Sequence, residues 1–344
     1  MDWQIQHRLH PLKVPVVASH GTVKSRLLLI LKISDGVFEG WGEAAPVDGY
    51  SEATFDECEQ SLRACLDGLA ACDPDDPNST LRSLAYPLPS NARAALESAL
   101  LDLAAKRKGV SVLDLMGGSG QGGIALRALL AGSDPAVLRD QADDAVQEGF
   151  SSFKLKLGRD SDYNLRATKT VREAVGNDAH ISGDANASWD ADFARSEIRS
   201  LSGQLDLLEQ PVEGVNGVRS LRTAELSLAL DEAATNHEAL DSPAPADAIC
   251  IKVQAFGGIN LAVDAAAKAR AAGMQVLVGS TLEGAVGMAA SLVAAQLIQP
   301  DLASGLSTLD LFDDSFPAFR LDPTNALAPI GLGLGTDPDG TPTG

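Results

Sequence analysis

The sequence predicts an α/β chain: a parallel TIM-type barrel preceded by an amino-terminal α+β domain. Three observations carry this expectation. From about residue 124 short apolar runs alternate with Ala-rich helical stretches, most of the runs end on a charged or polar residue, and the first 120 residues read instead as strands followed by helices.

Taken in order, residues 1–16, MDWQIQHRLHPLKVPV, lack the charged-then-apolar layout of a secretion signal. Residues 23–43 read as two strands around Asp35-Gly36, an antiparallel hairpin with its turn signal between apolar runs. Helical spacing follows over 51–72 and 90–108, with Ser51 and Ser90 expected as caps and Gly109 as a stop. Cys58, Cys65 and Cys72 recur every seven residues along one face of the first helix, where small apolar thiols pack. With no CxxC pair among the four cysteines, a zinc or redox motif is not indicated, and a reducing compartment, the cytoplasm, is expected.

The barrel strands are expected in IALRALL, SSFKLKL, HISGDAN, LDLLEQP, LSLALDE, AICIKV and MQVLVGS, with a final short one in ASGLSTL. Eight strands alternating with helices imply a closed ring or an open doubly wound sheet. The polar residues fall at the carboxyl end of one strand after another, which favours the ring, because an open sheet gathers its ligands at one switch point. Domain bounds of 1–120 and 121–310 follow, with 311–344 returning toward the first domain. Its last residues, GLGLGTDPDGTPTG, are expected to run over the surface without regular structure. GSGQGG at Gly118–Gly123 matches a dinucleotide-binding pattern but precedes a strand instead of joining strand to helix, so it reads as a linker.

Charge narrows the function. Lys and Arg number 27 against 47 Asp and Glu, and a net charge of −20 repels nucleic acid and anionic membrane surfaces. No run of eighteen apolar residues occurs, since the greasiest region, Met274–Ile298, is broken by Glu283. Nucleic acid and membrane are therefore not expected partners.

Six residues at strand ends carry the chemistry: Lys154, Lys156, Asp184, Glu209, Asp231 and Lys252. Successive steps from Lys156 are 28, 25, 22 and 21 residues, each about one βα unit, so the side chains converge on one mouth of the ring. Any one acid alone would more often cap a helix or pair with a lysine. Three in register, with no His or Cys among them, suit a hard divalent cation, Mg²⁺ with Mn²⁺ as a substitute. Lys154 and Lys156, two apart on a strand, point to the same face, and their repulsion should lower the pKa of one toward the range of a general base. A metal between opposed amines suits removal of a proton next to a carboxylate through an ene-diolate.

These motifs resemble the muconate-lactonizing enzyme subgroup of the enolase superfamily: the paired lysines of FKLKLG, then DAN, EQP, DE, and the lysine before the Gly-Gly pair of IKVQAFGGI. GWGEAAP and NARAALESALLDLAAKRKGVSVLDLMGG are similar to that subgroup's amino-terminal capping domain, so the resemblance spans nearly the whole chain. It implies a modified (β/α)8 barrel, (β/α)7β, under an α+β cap. Asp184, Glu209 and Asp231 would be metal ligands, Lys156 the base, Lys252 the opposing cation or second base, Lys154 a tuning charge, and Asn186 and Glu232 supports behind them.

The seventh strand ends in GSTLEG without a histidine, which disfavours mandelate-racemase chemistry. GSTLEGAVGMAAS and GLSTLDLF look most like o-succinylbenzoate synthases, lyases of menaquinone biosynthesis. Dipeptide epimerases, N-acylamino acid racemases and muconate-type cycloisomerases stay open as alternatives. Dipeptide epimerases carry Asp-x-Asp on the eighth strand, where this chain has Thr308, Leu309 and Asp310. His20, Ser280, Glu283 and Asp310 are the expected substrate contacts, the substrate a small carboxylate, and a homo-oligomer is suggested by the resemblance alone. A metal-free Schiff-base aldolase and a non-catalytic barrel are readings of other classes.

Overall fold

The continuous apolar run RLLLILKI can bury both faces of a strand, and it does. In the computed structural model, which describes every residue except 19–20, 67–72, 84–86, 119–121, 133, 320 and 344, β2 (Gly21–Ser34) lies between β1 (Asp2–Ala18) and β3 (Glu39–Ala44) in an antiparallel sheet. The expected hairpin is β2 with β3, Leu29 opposite Ala44. β1 was not expected. It is an edge strand whose Gln, His, Arg and Pro residues interrupt any apolar alternation, and it is held by pairing from Asp2 opposite Ser34 onward.

Among the described residues four helices complete this part: α1 (Phe55–Leu66), α2 (Pro77–Arg82), α3 (Ser90–Lys108) and α4 (Val112–Leu115). Leu29, Leu31 and Ile33 of β2 pack on Cys58, Leu62 and Leu96. Cys65 also packs there, while Cys72 lies outside the described residues. The caps differ from expectation. Thr54, not Ser51, starts α1 through a reciprocal box, its Oγ1 accepting from Glu57 N at 3.3 Å while Glu57 accepts from Thr54 N at 2.8 Å. Ser51 instead accepts from Val47 N, and Pro89 precedes Ser90, the first residue of α3. Gly109 ends α3 in the left-handed conformation, as expected. β3 lies so close to α3 that a Cβ on Gly42 would stand 1.8 Å from Ala95 O, which explains the glycines of GWGEA.

The barrel comprises seven parallel strands: β4 (Ala128–Leu130), β5 (Ser152–Lys156), β6 (His180–Asp184), β7 (Leu207–Glu209), β8 (Ser227–Leu230), β9 (Ala248–Ile251) and β10 (Gln275–Val278). Helices α5 (Pro135–Gln147), α6 (Ser161–Val175), α7 (Ala191–Leu201) and α8 (Val215–Arg219) follow β4 to β7 in turn, a 3₁₀ turn at His237–Leu240 joins β8 to β9, α9 (Val253–Phe256) and α10 (Ile259–Ala272) both follow β9, and α11 (Ala285–Ile298) follows β10. No full eighth strand forms in ASGLSTL. Two single bridges, Leu126 to Ser304 and Gly279 to Gly305, close the ring, and a 3₁₀ turn follows at Leu309–Leu311. Gly122 and Gly123 lead into an extended bridge at Ile124 with no helix behind them. No described helix is long and apolar enough to cross a membrane.

Among the described residues no helix or strand follows Leu311, as expected, but the tail is not loose on the surface. Leu334 and Thr336 are buried, and Leu334 N donates to Asp102 Oδ1 of α3 at 2.7 Å. Gly333 permits that approach, because a Cβ there would sit 1.9 Å from the same carboxylate oxygen. The Gly and Pro residues that suggested a loose end make a tight one.

Buried carboxylates of the amino-terminal domain cap barrel helices. Glu43 accepts from Gly284 N at 2.6 Å and Gly287 N at 3.0 Å at the start of α11, while Glu97 of α3 accepts from Asn260 N and Nδ2 at the start of α10. Arg26 of β2 donates to Ala45 O, Pro46 O and Leu282 O, tying the loop after β3 to the loop after β10. Burial pushes the Glu43 carboxyl up to about 7 against the two N–H donors. A carboxyl that holds its proton more tightly folded than unfolded contributes stability that is full below its ordinary range and lost as pH rises to 7. Glu43→Gln should therefore flatten the fall in stability between pH 5 and 7.5 by up to about 3 kcal/mol, read by urea unfolding across that range.

Candidate functional site

Parallel pairing sets the polar residues side by side. Lys156 is opposite Asp184, and Asp184 opposite Glu209, at the carboxyl ends of β5, β6 and β7, while Asp231 follows the end of β8. One oxygen from each of Asp184, Glu209 and Asp231 lies within 4.8 Å of the other two, and all three residues are buried. The donor set is oxygen only, which fits Mg²⁺ and excludes a thiolate or imidazole zinc centre at this position.

Lysines and an arginine compensate this charge. Lys154 Nζ stands 2.8 Å from Asp184, 2.7 Å from Glu209 and 3.8 Å from Asp231; Lys156 Nζ is 2.8 Å from Asp184; Lys252 Nζ is 2.6 Å from Asp231. Burial works to lower the Lys154 pKa, but Asp184 and Glu209 outweigh it and raise the ammonium above its ordinary value. The repulsion expected between the paired lysines is thus overridden at Lys154. Asp231 likewise outweighs burial and raises Lys252. Conversely, burial would raise Glu209, yet Arg127 and Lys154 hold it down at about 2.

Asn186 and Glu232 lie behind these groups. Asn186 Oδ1 accepts from Lys156 Nζ at 2.9 Å, and its Nδ2 donates to Asp184 and to Glu232. Burial and the neighbouring Asp231 and Asp184 push Glu232 up to about 7. Asn186 and Gln210 have φ of 46° and 35°, backbone strain concentrated where strands end at the site. Gln210 Oε1 accepts from Asp231 N and Ala233 N, so the Gln of EQP fixes the turn that presents Asp231.

Three contributors were missed by the sequence reading. Tyr50, from the loop after β3, places its ring 4.4 Å from Lys252 Nζ and its hydroxyl 3.4 Å from Asp231 Oδ1. Nothing local marks it. Arg127 was visible as a lone cation inside the apolar run IALRALL, a position that demands a buried carboxylate. Gln210 lies within EQP, where only the Glu is expected to act.

The outer contacts divide. Ser280 lines the cavity and accepts from Thr308 Oγ1 at 2.9 Å. Glu283 turns inward, accepting from Ser280, Thr281 and Ser291, and does not line the cavity, so its expected substrate contact is corrected: its oxygens are already engaged. Asp310 is exposed on the 3₁₀ turn, away from the cavity lining, because that segment leaves the ring after Gly305 instead of extending a strand. His20 lies outside the described residues. Val16, Val23, Val47, Leu129 and Leu282 form an apolar outer wall facing the charged floor.

Removing Lys154 leaves buried carboxylates short of a counter-charge. Lys154→Met, in the presence of a chelator, should cost about 3–5 kcal/mol in urea unfolding, with part of the loss restored by added Mg²⁺.

Comparison with known proteins agrees with this geometry. Residues 137–341 match the enolase C-terminal domain-like family, and residues 1–117 match the mandelate racemase / muconate lactonizing enzyme N-terminal domain. The N-succinyl-L-Arg/Lys racemase of Bacillus cereus is 29% identical over 293 residues, 81% of this chain and 79% of that protein. Muconate cycloisomerase 1 of Acinetobacter baylyi is 28% identical over 302 residues, 81% of this chain and 80% of that one. The muconate lactonizing enzyme from Pseudomonas putida superposes with a TM-score of 0.84 at 26% identity, covering 98% of this chain and 96% of its own. The chain belongs to the enolase superfamily, as an enzyme of its muconate-lactonizing subgroup.

Proposed function

We propose that this enzyme removes the proton α to the carboxylate of a small substrate, with Mg²⁺ held by Asp184, Glu209 and Asp231, Mn²⁺ being an alternative, and with Lys156 as the base. One observation carries the reading: around the ring, Lys156 on β5 and Lys252 at the end of β9 flank the three carboxylates of β6, β7 and β8 and line the same cavity. The bound cation supplies Lewis-acid stabilisation of the negative charge that develops on the substrate carboxylate.

The chain's own groups do the rest. Lys156 Nζ, aimed by Asp184 Oδ2 and Asn186 Oδ1, accepts the α proton in its neutral form. Lys252 is held between Asp231 and the Tyr50 ring and stays cationic, so it offers a fixed positive charge to the developing anion from the other side. Val16, Val23 and Leu282 exclude water from the outer half of the cavity.

A single base with a fixed cation opposite suits elimination of water, so the first reading is an o-succinylbenzoate synthase-type dehydration. The terminal motifs GSTLEG and GLST support it. A second reading, racemisation of an N-acylamino acid, draws support from the similarity to the N-succinyl-L-Arg/Lys racemase over about four fifths of both chains, and requires Lys156 and Lys252 to alternate as acid and base. A dipeptide epimerase is less well supported, because Asp310 does not face the cavity to receive a free ammonium group.

Assays in D₂O with the synthase substrate and with both enantiomers of N-succinylamino acids separate the readings. Dehydration without deuterium exchange into N-succinylamino acids is the expected result, and exchange into both enantiomers selects racemisation. Under either, Lys156→Ala should abolish exchange and turnover, and a chelator should do so reversibly. Full activity in Lys156→Ala refutes the base assignment, and borohydride trapping of a lysine adduct without metal would put an aldolase in its place.

A further inference from the structure

Arg127 takes no part in the chemistry described so far. It stands just before β4, is 4% exposed, and reaches across the barrel interior to Glu209. Nη1 donates to Glu209 Oε1 and, at 3.1 Å, to Ser182 Oγ; Nη2 donates to Glu209 Oε2 at 3.3 Å. The guanidinium fork therefore meets both carboxylate oxygens and fixes the plane of the group. Lys154 takes a further lone pair on Oε2.

Two details separate this from ordinary buried pairing. Nε of Arg127 is buried and has no acceptor among the described residues, so the side chain forgoes one donor to keep its fork on Glu209. Gly305 lies against the guanidinium, a Cβ there standing 3.3 Å from Nε, so the closing segment of the ring leaves room for it. Among the described residues, the cations paired with the other two carboxylates are lysines, on flexible stems. Arg127, by contrast, is a permanent charge in a fixed direction. With Lys154, Lys156 and Lys252 it makes four cations facing three carboxylates.

We propose that Arg127 is a positioning residue for Glu209, which orients the central carboxylate and offsets its charge, so that the triad holds a divalent cation loosely enough to exchange. The proposal rests on the reading of Asp184, Glu209 and Asp231 as the metal set. A guanidinium on a ligand repels an incoming divalent ion, and removing it strengthens the site where a purely structural role would weaken it.

Calorimetric titration of MgCl₂ at pH 8 into the full chain, as wild type, Arg127→Met and Arg127→Lys, tests this, with circular dichroism and Tm recorded for each. Wild type should bind one Mg²⁺, Arg127→Met should bind it at least about tenfold more tightly with a larger Mg²⁺-induced rise in Tm, and Arg127→Lys should stay within about threefold of wild type. If Arg127→Met does not fold, Arg127→Gln, which keeps a donor without the charge, is read in the same way. Unchanged or weaker binding in the folded, uncharged variant overturns the proposal. Absence of Mg²⁺ binding by the wild type at millimolar concentration removes the metal reading itself, a separate outcome.

Discussion

A single ammonium in contact with three buried carboxylates is the interaction on which the rest of this structure depends. Lys154 Nζ is within 4 Å of Asp184, Glu209 and Asp231, none of which is more than 2% exposed. Three like charges in a low-dielectric barrel mouth are tolerated only with matching cations close by. That requirement explains why Lys156, Lys252 and Arg127 crowd the same floor, and why the backbone accepts left-handed conformations at Asn186 and Gln210 to present the acids.

The amino-terminal domain completes the site instead of merely covering it. Glu43 and Glu97 cap α11 and α10, Arg26 clasps the loop after β3 to the loop after β10, and that clasped loop delivers Tyr50 to Lys252. Asp102 of α3 accepts from Trp41 N on β3 and from Leu334 N on the tail, so one buried carboxylate joins three segments. Chemistry on the barrel is thereby coupled to packing in the cap. The apolar wall that faces the charged floor, Val16, Val23, Val47 among it, comes largely from these cap segments.

What could be read from the residues follows from periodicity and convergence. Parallel strands buried on both sides announce themselves as apolar runs, and a charged residue ending most of them, at steps of one βα unit, brings Lys156, Asp184, Glu209, Asp231 and Lys252 together without knowledge of any side-chain contact. β1 was invisible because an edge strand needs little burial and mixes polar residues on both faces. Tyr50 and Glu43 could not be assigned because their partners lie 181 or more residues away in sequence. Glu283 and Asp310 differ from expectation for a related reason: a carboxylate near a strand end serves a turn as readily as a ligand, and only the direction of the side chain distinguishes the two. The Gly-rich tail shows the same ambiguity, since glycine marks a loose end and a close approach alike.

In the proposed mechanism Asp184, Glu209 and Asp231 share one divalent cation. Anomalous diffraction from crystals grown with Mn²⁺ tests it most directly. A single strong peak bonded to an oxygen of each carboxylate, at about 2.1–2.2 Å, is the predicted result. No peak there, with Lys154 still bonded to Asp184 and Glu209 at saturating Mn²⁺, would contradict it.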